Sequence, residues 1–202
     1  MSVIMLHFLL ICISDLTIYF LIKKDKELNE TYGNNKAKTV SVIIIANIFC
    51  IIAAIFIKQT FFIAMLCFAA VQTVSDELTA KVYSFLSQFF IVISAALYLF
   101  RSFDLASLFS CIGAIAILSF LSFIKAYAWG DVECAIPFLI TCAAEGYNAL
   151  AALLVLLFVA CGTMTVEYII RKKMKSGALK EIPFMKNIFM GMFAVTIMLA
   201  MC

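Results

Sequence analysis

Two aspartates, Asp76 and Asp131, stand at the ends of long apolar runs. Asp76 follows the run 61–74, and Asp131 precedes the run 132–144. A carboxylate at a bilayer boundary is costly, so its presence there indicates a functional role. Two carboxyls that share one proton can act together on a peptide bond, because one deprotonates water while the other polarises the carbonyl. The sequence therefore predicts that Asp76 and Asp131 form an acid–base pair.

The elements that position this pair must be membrane helices. Hydrophobic residues make up 66% of the 202 residues and charged residues 13%, with a mean hydropathy of +1.14. That apolar share far exceeds the share in a soluble domain. Two prolines, seven glycines and no alternating pattern favour helices over an outer-membrane barrel. We predict an all-α, polytopic helical bundle that forms a single integral membrane domain over residues 1–202, among membrane lipids and with no nucleic-acid partner.

Eight apolar segments are candidates for crossing the membrane. They cover roughly residues 1–22, 40–57, 60–75, 83–100, 105–124, 131–145, 148–169 and 187–202. Only Lys58 and Gln59 separate the second segment from the third, which predicts a tight helical hairpin. Residues 145–148 divide the sixth and seventh segments weakly, so one bent helix could replace the two. Residues 23–38 mix both charge signs with glycine and asparagine, which is typical of a solvated turn.

The charged residues are distributed very unevenly between the two sides of this eight-helix topology. Thirteen lysines and arginines fall on one side, and only Lys58 and Arg101 fall on the other. Cytoplasmic loops carry the excess of positive charge in membrane proteins. The bias predicts that both termini are non-cytoplasmic, in a multi-pass protein of the inner (plasma) membrane. Asp76 and Asp131 then both lie at the cytoplasmic face.

Simpler structural roles for the two aspartates remain open at this point. Asp76 could be an ordinary polar residue at a helix end, and Asp131 could be the N-cap of the sixth segment. Gly130, directly before Asp131, lets the backbone approach another segment closely. The eight cysteines lie almost entirely in apolar runs and form no Cys-x-x-Cys pair, so neither a zinc site nor a disulfide framework is predicted.

The residues around both aspartates resemble a known pair of motifs. Asp76-x-x-Thr79-x-Lys81-Val82, followed 55 residues after Asp76 by Gly130-Asp131-Val132, is similar to the type IV prepilin peptidase and preflagellin peptidase family. This family belongs to the GxGD-type intramembrane aspartyl proteases. The segment Glu181-Ile182-Pro183-Phe184 also resembles a family segment. The resemblance covers residues 60–202 as a peptidase-like core, and residues 1–57 form two spans without a motif.

The resemblance implies an aspartyl endopeptidase that removes the leader peptide of prepilin-like precursors at the cytoplasmic membrane face. It implies that Asp76 and Asp131 are the catalytic pair, supported by Gly130, Thr79 and Lys81, with no metal and no cofactor. The precursor protein is the implied partner. The resemblance does not indicate the oligomeric state.

The chain also departs from the family pattern, as a divergent and short member would. Ala128 replaces the first glycine of the second motif, Glu133 replaces a lysine, and Tyr83-Ser84 replaces a proline–asparagine pair. The cysteine-rich cytoplasmic region of larger members is absent. Proteolysis without N-methylation of the new amino terminus is therefore expected.

Asp15 is the main competing acidic residue, because it lies inside the first segment. An embedded carboxylate usually pairs with a polar group of another helix, so we predict a bond to Ser, Thr or Asn. A proton relay through Asp15, or a third active-site role for it, is the other interpretation. The alternative function is accordingly a non-enzymatic membrane protein, either an inactive peptidase-like scaffold or a small proton-coupled transporter.

Overall fold

The structure is a computed structural model that describes residues 3–34, 36–101, 104–125, 127–173 and 184–201. All secondary structure in these residues is helical, which confirms the predicted fold class. Nine helices are described: α1 (Val3–Lys24), α2 (Lys26–Asn34), α3 (Lys36–Phe56), α4 (Thr60–Thr79), α5 (Ser84–Arg101), α6 (Leu105–Phe123), α7 (Trp129–Ala144), α8 (Ala149–Lys173) and α9 (Met185–Met201).

Six of the described helices are long and apolar enough to cross a membrane: α1, α3, α4, α5, α6 and α8. Helices α7 and α9 are shorter, with 16 and 17 residues. Large apolar side chains such as Phe100 (90% exposed) and Phe123 (84% exposed) lie on the outer surface of the bundle. Such a surface is stable in lipid rather than in water. The protein is a multi-pass membrane protein.

Helices α4 and α7 lie at the centre of the bundle. Nearly every residue of α4 from Phe62 to Asp76 is buried, and α7 is buried along most of its length. A helix that is apolar on all sides belongs in a core surrounded by other helices. Helix α5 packs extensively on α7, and α8 packs extensively on α9. The two central helices are those that carry Asp76 and Asp131.

The connection between α1 and α3 differs from the predicted solvated turn, because it contains helix α2. The side chain of Asp25 accepts hydrogen bonds from the backbone N–H groups of Glu27 (3.0 Å) and Leu28 (3.2 Å). This cap starts the helix. Leu28 is 2% exposed and anchors the helix to the bundle. The prediction of a turn was wrong because composition alone does not show that Asp25 caps a helix or that Leu28 is buried.

The two predicted helix boundaries are confirmed. Helices α3 and α4 pack together as a hairpin joined by residues 57–59. Helices α7 and α8 are separate, since Gly146 takes a positive φ of 83° that ends the helical path.

Polar contacts tie the helix ends together at each end of the bundle. At the end that carries Asp76, Lys38 of α3 pairs with Glu77 of α4 at 3.3 Å. At the opposite end, Arg101 pairs with Glu145. Because lysine is concentrated at the first of these ends, we call it the basic end.

Candidate active site

Asp76 lies in the last turn of α4 and is 9% exposed. Its Oδ2 accepts a hydrogen bond of 3.0 Å from the backbone N–H of Met185, the first residue of α9. The first N–H groups of a helix have no partner within that helix, and the helix dipole favours negative charge there. Asp76 therefore caps α9 while sitting at the end of α4.

Asp131 lies in the first turn of α7 and is 6% exposed. The helix begins two residues earlier than predicted, at Trp129, and Ala128 occupies the N-cap position. The interpretation of Asp131 as an N-cap was therefore wrong. Its own backbone N–H donates to the carbonyl of Ala128 at 3.1 Å. The side chain of Asp131 is left to face the interior of the bundle.

The structure brings Asp76 and Asp131 together at the basic end. Helix α4 packs directly against α7, and Asp131 is close enough to Asp76 for the charge of Asp76 to act on it. Like-charge repulsion in a poorly solvated site opposes ionisation of both carboxyls, so such a pair holds one proton between them. Two buried carboxyls in this arrangement are chemically suited to acid–base catalysis.

Gly130, in the motif that contains Asp131, packs against Val82, which follows Asp76 in the other motif. A Cβ atom placed on Gly130 would lie 3.2 Å from Cβ of Val82, closer than most side-chain contacts. The absence of a side chain at Gly130 thus allows residues 80–83, between α4 and α5, to lie against the start of α7. This contact holds the two motifs in a fixed relation.

Thr79 and Lys81 support the local backbone, and their described hydrogen bonds go to groups other than the two aspartate carboxyls. The hydroxyl of Thr79 donates to the carbonyl of Ser75 at 3.0 Å. Lys81 is 60% exposed and pairs with Glu27 of α2. Ala80, between them, adopts a left-handed conformation (φ 53°), and its N–H donates to the carbonyl of Asp76 at 2.8 Å. These contacts end α4 directly after the catalytic candidate.

Gln72 is a buried polar residue next to the candidate site that the sequence motifs do not include. It is completely buried and makes two hydrogen bonds of 2.9 Å with the backbone of Tyr83, as donor to the carbonyl and as acceptor from the N–H. The hydroxyl of Tyr83 also donates to Asp25 at 2.9 Å. The α4–α5 connection is therefore clamped from both sides. A glutamine inside the apolar run 61–74 was the available signal.

Aromatic residues surround the start of α7. The rings of Tyr127 and Phe184 lie 4.8 Å apart between centroids, and the Tyr127 hydroxyl lies 3.2 Å from Sγ of Cys161. Burial raises the pKa of Tyr127, and the charge of Asp131 adds to this rise. Trp129 instead turns toward Glu133, donating to its Oε1 at 2.7 Å, and is 55% exposed. Tyr127 is thus near enough to Asp131 to feel its charge.

Asp15 is hydrogen-bonded as predicted. The side-chain amide of Asn47 on α3 donates to both carboxyl oxygens of Asp15, at 2.9 and 3.1 Å. His7 is buried and contacts the carbonyl of Ala54 at 3.3 Å. Within the described residues there is no group of three or more potential metal ligands. The predicted motif residues 181–183 lie outside the described residues; Phe184 alone of that segment is described.

Comparisons with protein-family models, with curated proteins and with solved structures gave no match. A functional hypothesis for this protein therefore rests on the positions of Asp76 and Asp131 and on the two motifs around them.

Proposed function

We propose that this protein is an intramembrane aspartyl endopeptidase that cleaves the leader peptide of type IV prepilin-like precursors. Cleavage would take place at the cytoplasmic face of the inner (plasma) membrane. One observation carries the proposal: Asp76 and Asp131 are both buried at the basic end, on two helices that pack together. The similarity of their surrounding residues to the prepilin peptidase motifs supplies the substrate class.

The surroundings of the two carboxyls favour different roles in this reaction. The N-terminus of α9 donates to Asp76 and stabilises its negative charge, so Asp76 is the general base that deprotonates water. Asp131 then holds the shared proton and polarises the carbonyl of the scissile bond. Attack of the hydroxide on that carbonyl breaks the peptide bond, and a proton returns to the leaving amine.

The direct test is replacement of each aspartate by asparagine. Asp76→Asn and Asp131→Asn should each abolish leader removal from a co-expressed prepilin-like precursor, while the amount of inserted protein stays normal. Asp104→Asn is a matched control, because Asp104 caps α6 through Ser107. Cleavage that persists in either of the first two variants would refute the assignment.

A non-enzymatic role is the second candidate, as an inactive peptidase-like scaffold. Glu133 supports it, because this residue places a further carboxylate two positions after Asp131, where the related motif carries a lysine. A proton-coupled transporter that uses Asp15 is the remaining form of this candidate. Precursor that stays uncleaved by the wild-type protein, together with transport that Asp15→Asn abolishes, would favour it.

A further inference from the structure

A cavity of about 510 Å³ opens between α3 and α8 near the basic end of the bundle. Both helices pack on α9, which forms the floor together with α4. The walls are mainly apolar and include Ala46, Phe49, Val166 and Phe189. Val166 is 57% exposed, so the cavity opens on the surface that faces lipid. Its volume is in the range of pockets that enclose small ligands.

One buried amide nitrogen in this cavity has no hydrogen-bond partner in the part of the chain that the structure describes. Asn187 is 2% exposed, and its Nδ2 makes no hydrogen bond among the described residues. A buried N–H donor is costly when it is unsatisfied, and most such groups have a partner in native proteins. The amide of Asn187 therefore points to a ligand that supplies an acceptor.

Ionic side chains mark the polar rim of the cavity. Lys186 pairs with Glu77 at 3.0 Å and with Glu167 at 2.5 Å, and Lys38 pairs with Glu77 at 3.3 Å. Glu77, Glu167 and Lys186 line the cavity, and Lys38 lies beside it as the partner of Glu77. The two lysines and two glutamates sum to zero, which suits a zwitterionic headgroup better than a strongly charged one. Asn187 follows Lys186 directly in the sequence, and both residues line the cavity.

The depth of the cavity limits what can occupy it. Its α8 lining runs from Thr163 to Ile170, which corresponds to about 10 Å along a helix. The hydrocarbon core of a bilayer is about 30 Å thick. A partner helix would cross the whole bilayer core, and only one end of that helix would lie in this cavity. An acyl chain attached at the rim fits the depth better.

We propose that this cavity binds one acyl chain of a zwitterionic diacyl glycerophospholipid, and that an ester carbonyl of the lipid accepts a hydrogen bond from Asn187 Nδ2. The ester groups of a phospholipid lie between headgroup and hydrocarbon, at the level of Asn187. The ionic rim contacts the headgroup, and the apolar walls contact the acyl chain in place of neighbouring lipids. This inference does not depend on the proposed peptidase activity.

The test compares two lipids that differ only in the acceptor. The full-length protein is purified in detergent, and native mass spectrometry measures retention of phosphatidylethanolamine with ester-linked chains and with ether-linked chains. Loss of one hydrogen bond should reduce retention of the ether lipid by roughly two- to tenfold. Asn187→Leu should remove this difference, because it deletes the donor.

A second pair of variants tests the cavity without touching a buried polar residue. Val166→Trp fills the mouth and should lower retention of both lipids. Leu154→Trp is the matched control, since Leu154 is 68% exposed on the same helix and does not line the cavity. Equal retention of the two lipids by the wild-type protein would overturn the proposal. Unchanged lipid retention in Val166→Trp would do the same. The proposal would also fail if an apolar protein segment, and not lipid, co-purified with the wild-type protein and was lost in Val166→Trp.

Discussion

The carboxylate of Asp76 and the backbone N–H of Met185 are joined by a hydrogen bond of 3.0 Å, across 109 positions of the sequence. The bond links the end of α4 to the start of α9. The bond makes Asp76 a cap of α9, a structural role that is separable from the catalytic role proposed for this residue. A loss of activity on mutating Asp76 is therefore informative only when the two roles are distinguished.

Asparagine and alanine at position 76 should separate these roles. Asp76→Asn keeps an oxygen that can accept from Met185, so stability should change little while leader cleavage is lost. Asp76→Ala also removes the cap and should destabilise the protein by about 1 kcal/mol. Thermal unfolding in detergent measures the difference. Equal stability of the two variants would show that the cap contributes nothing.

The clamp formed by Gln72 gives the second prediction. Gln72→Leu removes both hydrogen bonds to the backbone of the half-buried Tyr83, which should cost roughly 2 kcal/mol at about 1 kcal/mol per bond. Amide hydrogen exchange at Tyr83 should accelerate. Gln59→Leu is the control, because Gln59 makes one weak contact of 3.4 Å with Tyr147 at the other end of the bundle. Unchanged exchange in Gln72→Leu would mean that other contacts hold the α4–α5 connection.

The sequence predicted most of the fold because the length of an apolar segment is a strong signal in a membrane protein. The eight predicted segments correspond to α1 and α3–α9. The helix α2 escaped prediction because its stability depends on Asp25 as a cap and on burial of Leu28, which is a tertiary contact. Local composition carries little information about such a contact.

The candidate site was predicted less completely than the fold. Placement at helix ends pointed to Asp76 and Asp131, and the structure brings them together. The hydrogen bond from Met185 to Asp76 joins segments that are far apart in the sequence, and the clamp by Gln72 depends on a buried polar side chain. The sequence pattern does not reveal the partners of such groups. Asp15 was easier, because an embedded carboxylate must find a polar partner, and Asn47 supplies it.

The contact between α8 and α9 gives a prediction about packing. A Cβ atom on Gly191 would lie 2.6 Å from the backbone carbonyl oxygen of Leu156, so the helices must separate to accept any side chain. Gly191→Ala should destabilise the protein by about 1–3 kcal/mol. Gly162→Ala, on α8 with open space around it, should not. Thermal unfolding of the two variants tests this; equal melting temperatures would contradict the close approach.

The bond between Tyr83 and Asp25 gives a prediction about pH. The Tyr83 hydroxyl, followed by the backbone N–H of Leu28, lowers the pKa of Asp25 below 3.8, so its stabilising effect is present above that value and is lost as pH falls through the lowered pKa. Burial and the charge of Asp25 raise the pKa of Tyr83 from 10.0 to about 12. The bond is therefore also lost as pH rises through about 12.

Ultraviolet titration of tyrosinate in detergent measures this pair. The wild-type protein should contain a tyrosine that ionises near pH 12 and that is missing in Tyr83→Phe. Asp25→Asn removes the neighbouring charge, so the same tyrosine should then ionise at lower pH. Tyr19→Phe is the control, because Tyr19 is 58% exposed on α1. An unshifted titration in Asp25→Asn would exclude an electrostatic link between the two residues.

Asp15 and Asn47 provide the last prediction, which also bears on the transporter alternative. Each single replacement, Asp15→Leu or Asn47→Leu, leaves a polar group inside the bundle without its partner. The double variant removes both groups, so it should be more stable than the sum of the single effects predicts, by roughly 0.5–2 kcal/mol. Additive effects would mean that the two side chains do not interact in the folded protein. Cleavage of the precursor should persist in the double variant if Asp15 is only structural. If Asp15 relays protons, every variant that lacks it should lose function, including a double variant that remains stably folded.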